Sequence, residues 1–141
     1  MIDAGYSGTP LAKKLGLKDG QRVLFLDLPP TLGALATAAA FASAQQAGWD
    51  ALATAQNLDV VHGFTASRAV LAAHAENLRR AIVPAGMVWI SWPKQASRVP
   101  TDITDQVIRD VLLPTGLVDV KVAAVDGVWS GLKLMIRKEL R

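Results

Sequence analysis

The run Val23-Leu24-Phe25-Leu26 places four apolar side chains in succession with no polar residue between them; Met87 to Ile90 repeats it, and Leu58 to Phe64 is a further apolar stretch broken only by Asp59, His62 and Gly63. A strand with one wet face alternates apolar and polar residues; one without alternation must be covered on both faces, as parallel strands flanked by helices are. The first strand is expected over Arg22 to Leu28. Helices are expected in the intervals. Thr9 as N-cap, Pro10 at the first helical position and Gly16 as the stop define a short helix, Pro10 to Leu15, before the Lys18-Asp19-Gly20 turn. An alanine-rich helix is expected over Leu32 to Ala47, capped by Thr31 and stopped by Gly48, because eleven of the 22 residues from Ala34 to Ala55 are alanine, the strongest helix former. A short strand is expected around Ala51 to Ala55. Ser67 caps a helix to about Ile82, Pro84-Ala85-Gly86 turns the chain, and Thr101 or Asp102 caps a helix over Ile103 to Leu113 that Pro114 and Gly116 end.

Two last strands, Val118 to Val125 and Ser130 to Lys138, face each other across Asp126-Gly127, a hairpin signal. A two-residue turn mixes apolar and charged residues on each face. A three-residue loop ending at Val128 pairs Val118 with Ile136, Val120 with Leu134 and Val122 with Leu132, so an odd loop or a bulge near Gly131 is expected. The fold class is α/β: a Rossmann-like three-layer sandwich whose mostly parallel sheet is closed by an antiparallel C-terminal hairpin. The 141 residues suit one domain, 1–141, with 1–21 as an N-terminal segment carrying the short helix packed on it.

With 51% hydrophobic and 19% charged residues, the chain is too apolar to be disordered. The absence of cysteine and the presence of two histidines exclude disulfides, thiolate chemistry and a dedicated histidine metal cage, so no metal is expected. No secretory signal opens the chain, and a cytoplasmic location is expected. Leu28 to Trp49 holds 22 uncharged residues, enough to cross a bilayer, but prolines, glutamines and Gly48 interrupt it and alanine gains little on insertion, so no membrane span is expected. A net charge of +3 is modest. Lys13, Lys14, Lys18 and Arg22 stand near the start and Lys133, Arg137, Lys138 and Arg141 at the end, without interleaved aromatics; they read as a solvated rim, and no nucleic acid is expected as a partner.

Three stretches resemble the Rossmann-like methyltransferases that use S-adenosylmethionine. LGLKDGQRVL, from Leu15, looks like the approach to their first strand; LRRAIVPAGMVWIS, from Leu78, looks like their helix, turn and strand beyond the cofactor; the closing hairpin matches their reversed last strand. That resemblance implies two further helix–strand units after the first strand, where this chain has room for one small strand. At a finer level YSGTPLAKKLG, WPKQASRVPTDIT and VWSGLKLMIRKELR resemble a short uncharacterised bacterial family, the domain of unknown function 3052, which lends an architecture and no reaction. The methyltransferase resemblance also implies a glycine-rich loop after the first strand and an acidic residue ending the next, holding the ribose hydroxyls. Here the loop reads Asp27-Leu28-Pro29-Pro30-Thr31-Leu32-Gly33. Asp27 lands on an acidic position, but two prolines lack N–H groups and cannot adopt positive φ. Asp50 has the spacing of a ribose partner, yet it precedes the expected strand at Ala51, which puts it at the wrong edge. No cofactor is therefore expected.

In open parallel sheets, ligands bind outside the carboxyl ends of the strands. The candidate ligand-binding residues at that edge are Asp27, His62, Ser91, Trp92, Lys94 and Trp129, with the Pro93–Pro100 loop folding over the rim. Each has a plainer reading: His62 as a hydrogen-bonded core histidine, Trp92 and Trp129 as packing anchors, Asp27 as a helix cap, with Lys94 free to meet a phosphate or carboxylate. His74 reads as packing, Trp49 as a loop pin, and Asp102 and Asp105 as helix caps. Ser7-Gly8 and Ser130-Gly131 lack a nucleophile elbow, and Tyr6-Ser7-Gly8-Thr9 before a helix start is a weak anion-loop signal.

Three functions follow. The leading one is a non-catalytic, methyltransferase-like module binding a partner protein or small anionic ligand. The alternative is a small S-adenosylmethionine-dependent transferase with a rearranged pocket, Asp27 and His62 as acid or base and Lys94 orienting the substrate. The third is a self-associating homodimer through the flat face of the alanine-rich helix.

Overall fold

The computed structural model describes residues 10–141. Thr9 and the Tyr6–Thr9 loop lie outside them. A helix α1 (Leu11–Lys14) leads through Gly16, at φ 74°, into β1 (Arg22–Leu26), which stops two residues short of the expected Leu28. After β1 the chain forms 3-10 turns over Pro30–Thr37, then β2 (Ser43–Ala47) and a second 3-10 segment, Trp49–Ala53. Then come β3 (Leu58–Phe64), α2 (Arg68–Ala73), α3 (Ala75–Ala81), β4 (Ile82–Pro93), α4 (Asp105–Leu112), β5 (Leu117–Ala124) and β6 (Trp129–Ile136).

The strands form one sheet in the order β2-β1-β3-β4-β6-β5. β2, β1, β3 and β4 are parallel, and β6 runs antiparallel between β4 and β5. Because successive side chains of a strand point to opposite faces, the three apolar runs feed two cores. On one face Leu24, Leu26, Val61, Val88 and Ile90 pack under α2, α3, α4 and the Trp49–Ala53 segment. On the other, Val23, Phe25, Val60, Phe64 and Trp89 pack under α1, Leu15, Leu17, Leu32 and Leu35. The α/β three-layer sandwich with a mostly parallel sheet is thus the observed fold.

Several local expectations are corrected. No α-helix covers Leu32 to Ala47: Ser43–Ala47 is drawn into parallel pairing with Arg22–Leu26 as the outermost strand, exposing Ser43, Ala44, Gln45 and Gln46. The flat helical face proposed for self-association does not exist. Ala51 to Ala55 is not a strand, since the 3-10 segment tucks Trp49 and Leu52 into the core. The helix from Ser67 breaks at His74, φ −115°, into α2 and α3; Ser67 does cap it, its Oγ accepting from Val70 N–H at 3.2 Å.

Thr104, not Thr101 or Asp102, caps α4, accepting from Val107 N–H; Asp102 instead accepts from Arg68 N–H at 2.7 Å, tying the loop to α2. In the hairpin Val122 pairs with Leu132 as expected, but Val118 pairs with Met135 and Asp119 with Leu134, and the irregularity falls between Asp119 and Lys121, not near Gly131. Leu117 packs in the core under α4, whereas Ala123 and Val125 pack in the opposite one. Six residues of regular strand would put Leu117 and Ala123 on the same face, so one extra residue is needed to switch them.

Among the described residues no helix is long and apolar enough to cross a membrane, and no cluster of potential metal ligands occurs.

Candidate functional site

β2 lies on one side of β1 and β3 on the other, so the connection from β1 runs one way across the sheet and the connection from β2 runs back past β1 to β3. At such a switch point the loops part and leave a crevice beyond the carboxyl ends of the strands. Asp27 opens this edge. Its φ of 53° makes the sharp turn that glycines otherwise supply, a left-handed conformation that aspartate tolerates better than most residues. Its N–H donates to Ala47 O at 2.9 Å, joining the ends of β1 and β2, and its side chain stays exposed. The turn is therefore made despite Pro29 and Pro30, which follow it. Gly48 lies under the Asp27 carboxylate, 3.7 Å from where a Cβ would stand.

Asp50 stands three residues beyond the end of β2, so the expectation that it sits at the wrong edge is corrected: the strand precedes it. Its side chain is fully exposed, with Oδ1 3.7 Å from His74 Nε2. His74 is anchored through Nδ1 to Val70 O at 2.9 Å and lies beside the Trp49 ring. Trp49 is buried against the end of β3. Its Nε1–H donates to Phe64 O at 3.0 Å, and its indole lies so close to Gly63 that a Cβ there would approach Cη2 to 2.5 Å. Trp49 and Gly63 thus form one packing unit, which sequence reasoning missed because it joins two segments fourteen positions apart.

The other predicted residues fall in two groups. Trp92, Lys94 and Trp129 do reach the carboxyl edge, further along at β4 and β6, where Pro93 pairs with Trp129 and Lys94 N–H donates to Val128 O at 2.8 Å. Trp92 is buried, and Trp129 meets Phe64 edge to face. Asp126 is spent on the hairpin turn, accepting from Val128 and Trp129 N–H. The Pro93–Pro100 loop, with Arg98 at φ 61°, borders a cleft of about 560 Å³ between the end of β4 and the start of α4.

His62 and Ser91, by contrast, lie below the edge. Both are fully buried, and His62 Nε2 is 2.7 Å from Ser91 Oγ. His62 stacks on Phe64 with ring centroids 4.2 Å apart, near Phe25 and Trp89. Burial pushes its pKa down to about 3, so the imidazole is neutral. A neutral ring walled in by aromatics does not reach the crevice, and the structure does not bring His62 together with Asp27.

The fold defines the class: a Rossmann-like α/β domain with a topological switch point between β1 and β3. The chain is similar to a solved S-adenosylmethionine-dependent methyltransferase from Aquifex aeolicus, with 16% identity, 90% of this chain and 88% of the other covered, and a TM-score of 0.67. It is likewise similar to magnesium protoporphyrin IX methyltransferase from Synechocystis with bound S-adenosylmethionine (13% identity, 90% and 74% covered, TM-score 0.63) and to ribosomal protein L11 methylase from Lactobacillus delbrueckii (14%, 90% and 77%, 0.61). No family model and no curated protein matches the chain. The likeness to the short bacterial family thus rests on its quoted segments. The expectation of no cofactor is overturned: structures that share this fold are S-adenosylmethionine-dependent methyltransferases, one of them solved with that molecule bound.

Proposed function

We propose that the chain is a small transferase that binds S-adenosylmethionine in the β1/β3 switch-point crevice. The observation that carries this reading is the pair of exposed carboxylates, Asp27 and Asp50, set by β1 and β2 on either side of Gly48. The ligand is a cation with a ribose diol, and carboxylates accept strong hydrogen bonds from hydroxyls and ammonium groups. Asp50 fits the ribose hydroxyls and Asp27 the positively charged end. Gly33, with nothing within 4 Å of a Cβ position, leaves the approach over the first 3-10 turn open. When bound, the molecule supplies an electrophilic methyl group on a sulfonium. Trp49, buried against the end of β3, excludes water there, and Lys94, half-buried at the end of β4, suits an anionic group on the acceptor.

Titration calorimetry with S-adenosylmethionine and S-adenosylhomocysteine tests the reading. Binding is expected in the micromolar range, weakened at least tenfold by Asp50→Asn, with Asp27→Asn also weaker. No heat with either compound at millimolar concentration would overturn it. The non-catalytic reading draws support from Pro29 and Pro30, which remove two backbone donors from the loop. It is separated by methyl transfer: a chain that binds the cofactor yet transfers nothing to any acceptor of a broad panel is a module, not an enzyme.

A further inference from the structure

Lys18, from the turn after α1, and Lys133, from β6, meet at a cleft by the amino ends of β1, β3 and β4, away from the crevice. Lys121 and Lys133 stand directly across from each other in the β5–β6 register. Like charges so placed oppose each other, and a fold without a use for them gains by changing either one. Lys18, from the turn after α1, adds a third charge: Lys133 is held below the ordinary lysine range by burial and then by the positive charges of Lys121 and Lys18.

Lys121 lies over the Trp89 ring and donates to Lys14 O, while Lys14 Nζ is occupied by Ala124 O. Among the described residues no salt bridge involves Lys18, Lys121 or Lys133. A cleft of about 280 Å³ opens beside them, at the amino ends of β1, β3 and β4, lined by Lys18, Gln21, Asp59, Met87 and Lys133 among others. Its carboxylate, Asp59, is held by the backbone N–H and guanidinium of Arg22, and the Gln21 amide is fixed by Lys18 N–H and Gly16 O. Asp59 Oδ2 is thus paired with Arg22, while Lys18 and Lys133 line the cleft and Lys121 stands beside Lys133, outside its lining.

We propose that Lys18 and Lys133, with Lys121 beside them, form a binding site for a small, multiply charged phosphate anion of the diphosphate class, separate from the switch-point crevice. Lysine binds phosphate as a point charge, and two lysines lining one small cleft with a third alongside match two linked phosphate groups better than a single carboxylate.

Calorimetry and thermal melting of the full chain with inorganic pyrophosphate test the proposal. Saturable binding and a raised Tm are expected, with affinity falling roughly tenfold, a loss of one strong charge contact, in Lys133→Gln and in Lys18→Gln. Arg80→Gln, an exposed cation on α3, should bind as the wild type does. Without anion, Lys133→Gln should melt above the wild type, because the opposed charges are relieved; this readout also shows that the variant folds. Adenosine diphosphate binding as tightly as pyrophosphate identifies the diphosphate alone as the ligand, and tighter binding identifies a nucleotide. A Tm rise reproduced by sodium chloride at equal ionic strength, an equal loss in Arg80→Gln, or length-dependent binding of single-stranded RNA without pyrophosphate binding would each sink the proposal.

Discussion

Acidification should destabilise this protein through one histidine. His62 is fully buried, its Nε2 is bonded to Ser91 Oγ at 2.7 Å, and its Nδ1 has no partner among the described residues. Burial lowers its pKa from 6.5 to about 3. The unfolded chain therefore takes up the proton first. The stability contributed by the neutral ring is complete above pH 6.5 and is lost as pH falls from there toward 3. At 1.36 kcal/mol for each pH unit in that window, the step from pH 7.0 to 4.5 should cost about 2.5 kcal/mol, a sizeable share of the stability of a small domain.

Other groups contribute to the acid response, so the experiment compares wild type with His62→Gln, in which those groups are unchanged. Gln also offers Ser91 a hydrogen-bonding partner. Urea unfolding at both pH values should give a smaller acid loss in the variant, by about 2.5 kcal/mol, whatever the variant's own stability at pH 7. Equal acid losses in the two proteins would refute the reasoning, since His62 would then not be the group that charges on unfolding.

Other substitutions probe the crevice and its supports. Gly63→Ala should destabilise by about 1–3 kcal/mol through overpacking, because its Cβ meets Trp49, and Trp49→Leu in the same chain should recover part of that in thermal melts. Thr104→Ala, which removes the cap of α4, should cost about 1 kcal/mol in urea unfolding. Asp27→Val should destabilise by about 1–2 kcal/mol, since a β-branched residue resists a φ of 53°, while Asp27→Gly should not lower the melting temperature.

What the sequence made legible was whatever burial on both faces writes into it. Val23–Leu26, Val60–Phe64 and Val88–Trp92 read as strands because no alternative placement covers so many adjacent apolar side chains. The alanine-rich stretch was illegible for the opposite reason. Alanine carries helix propensity but almost no directional hydrophobic signal, so pairing with Arg22–Leu26 was enough to turn Ser43–Ala47 into a strand.

That single error displaced the end of the second strand and with it Asp50, which the spacing from Asp27 had already indicated as a partner. The break at His74 and the Trp49–Gly63 contact depend on segments distant in sequence. In the hairpin, alternating valines suggested an inward face, yet Val118, Val120 and Val122 are exposed, because Leu117 and Val125 are claimed by opposite cores. At the site, Asp27, Trp92, Lys94 and Trp129 were placed at the carboxyl edge by strand direction alone. His62 and Ser91 were not excluded from it, because depth along a strand is finer than the pattern resolves.

The central claim is that the switch-point edge holds S-adenosylmethionine, and amide chemical-shift mapping with S-adenosylhomocysteine tests it most directly. The account predicts saturable shifts concentrated at Asp27, Gly48, Asp50, Phe64 and Thr65, with the Lys133 region silent. Shifts confined to the Gln95–Asp105 cleft, or none at millimolar ligand, would contradict it.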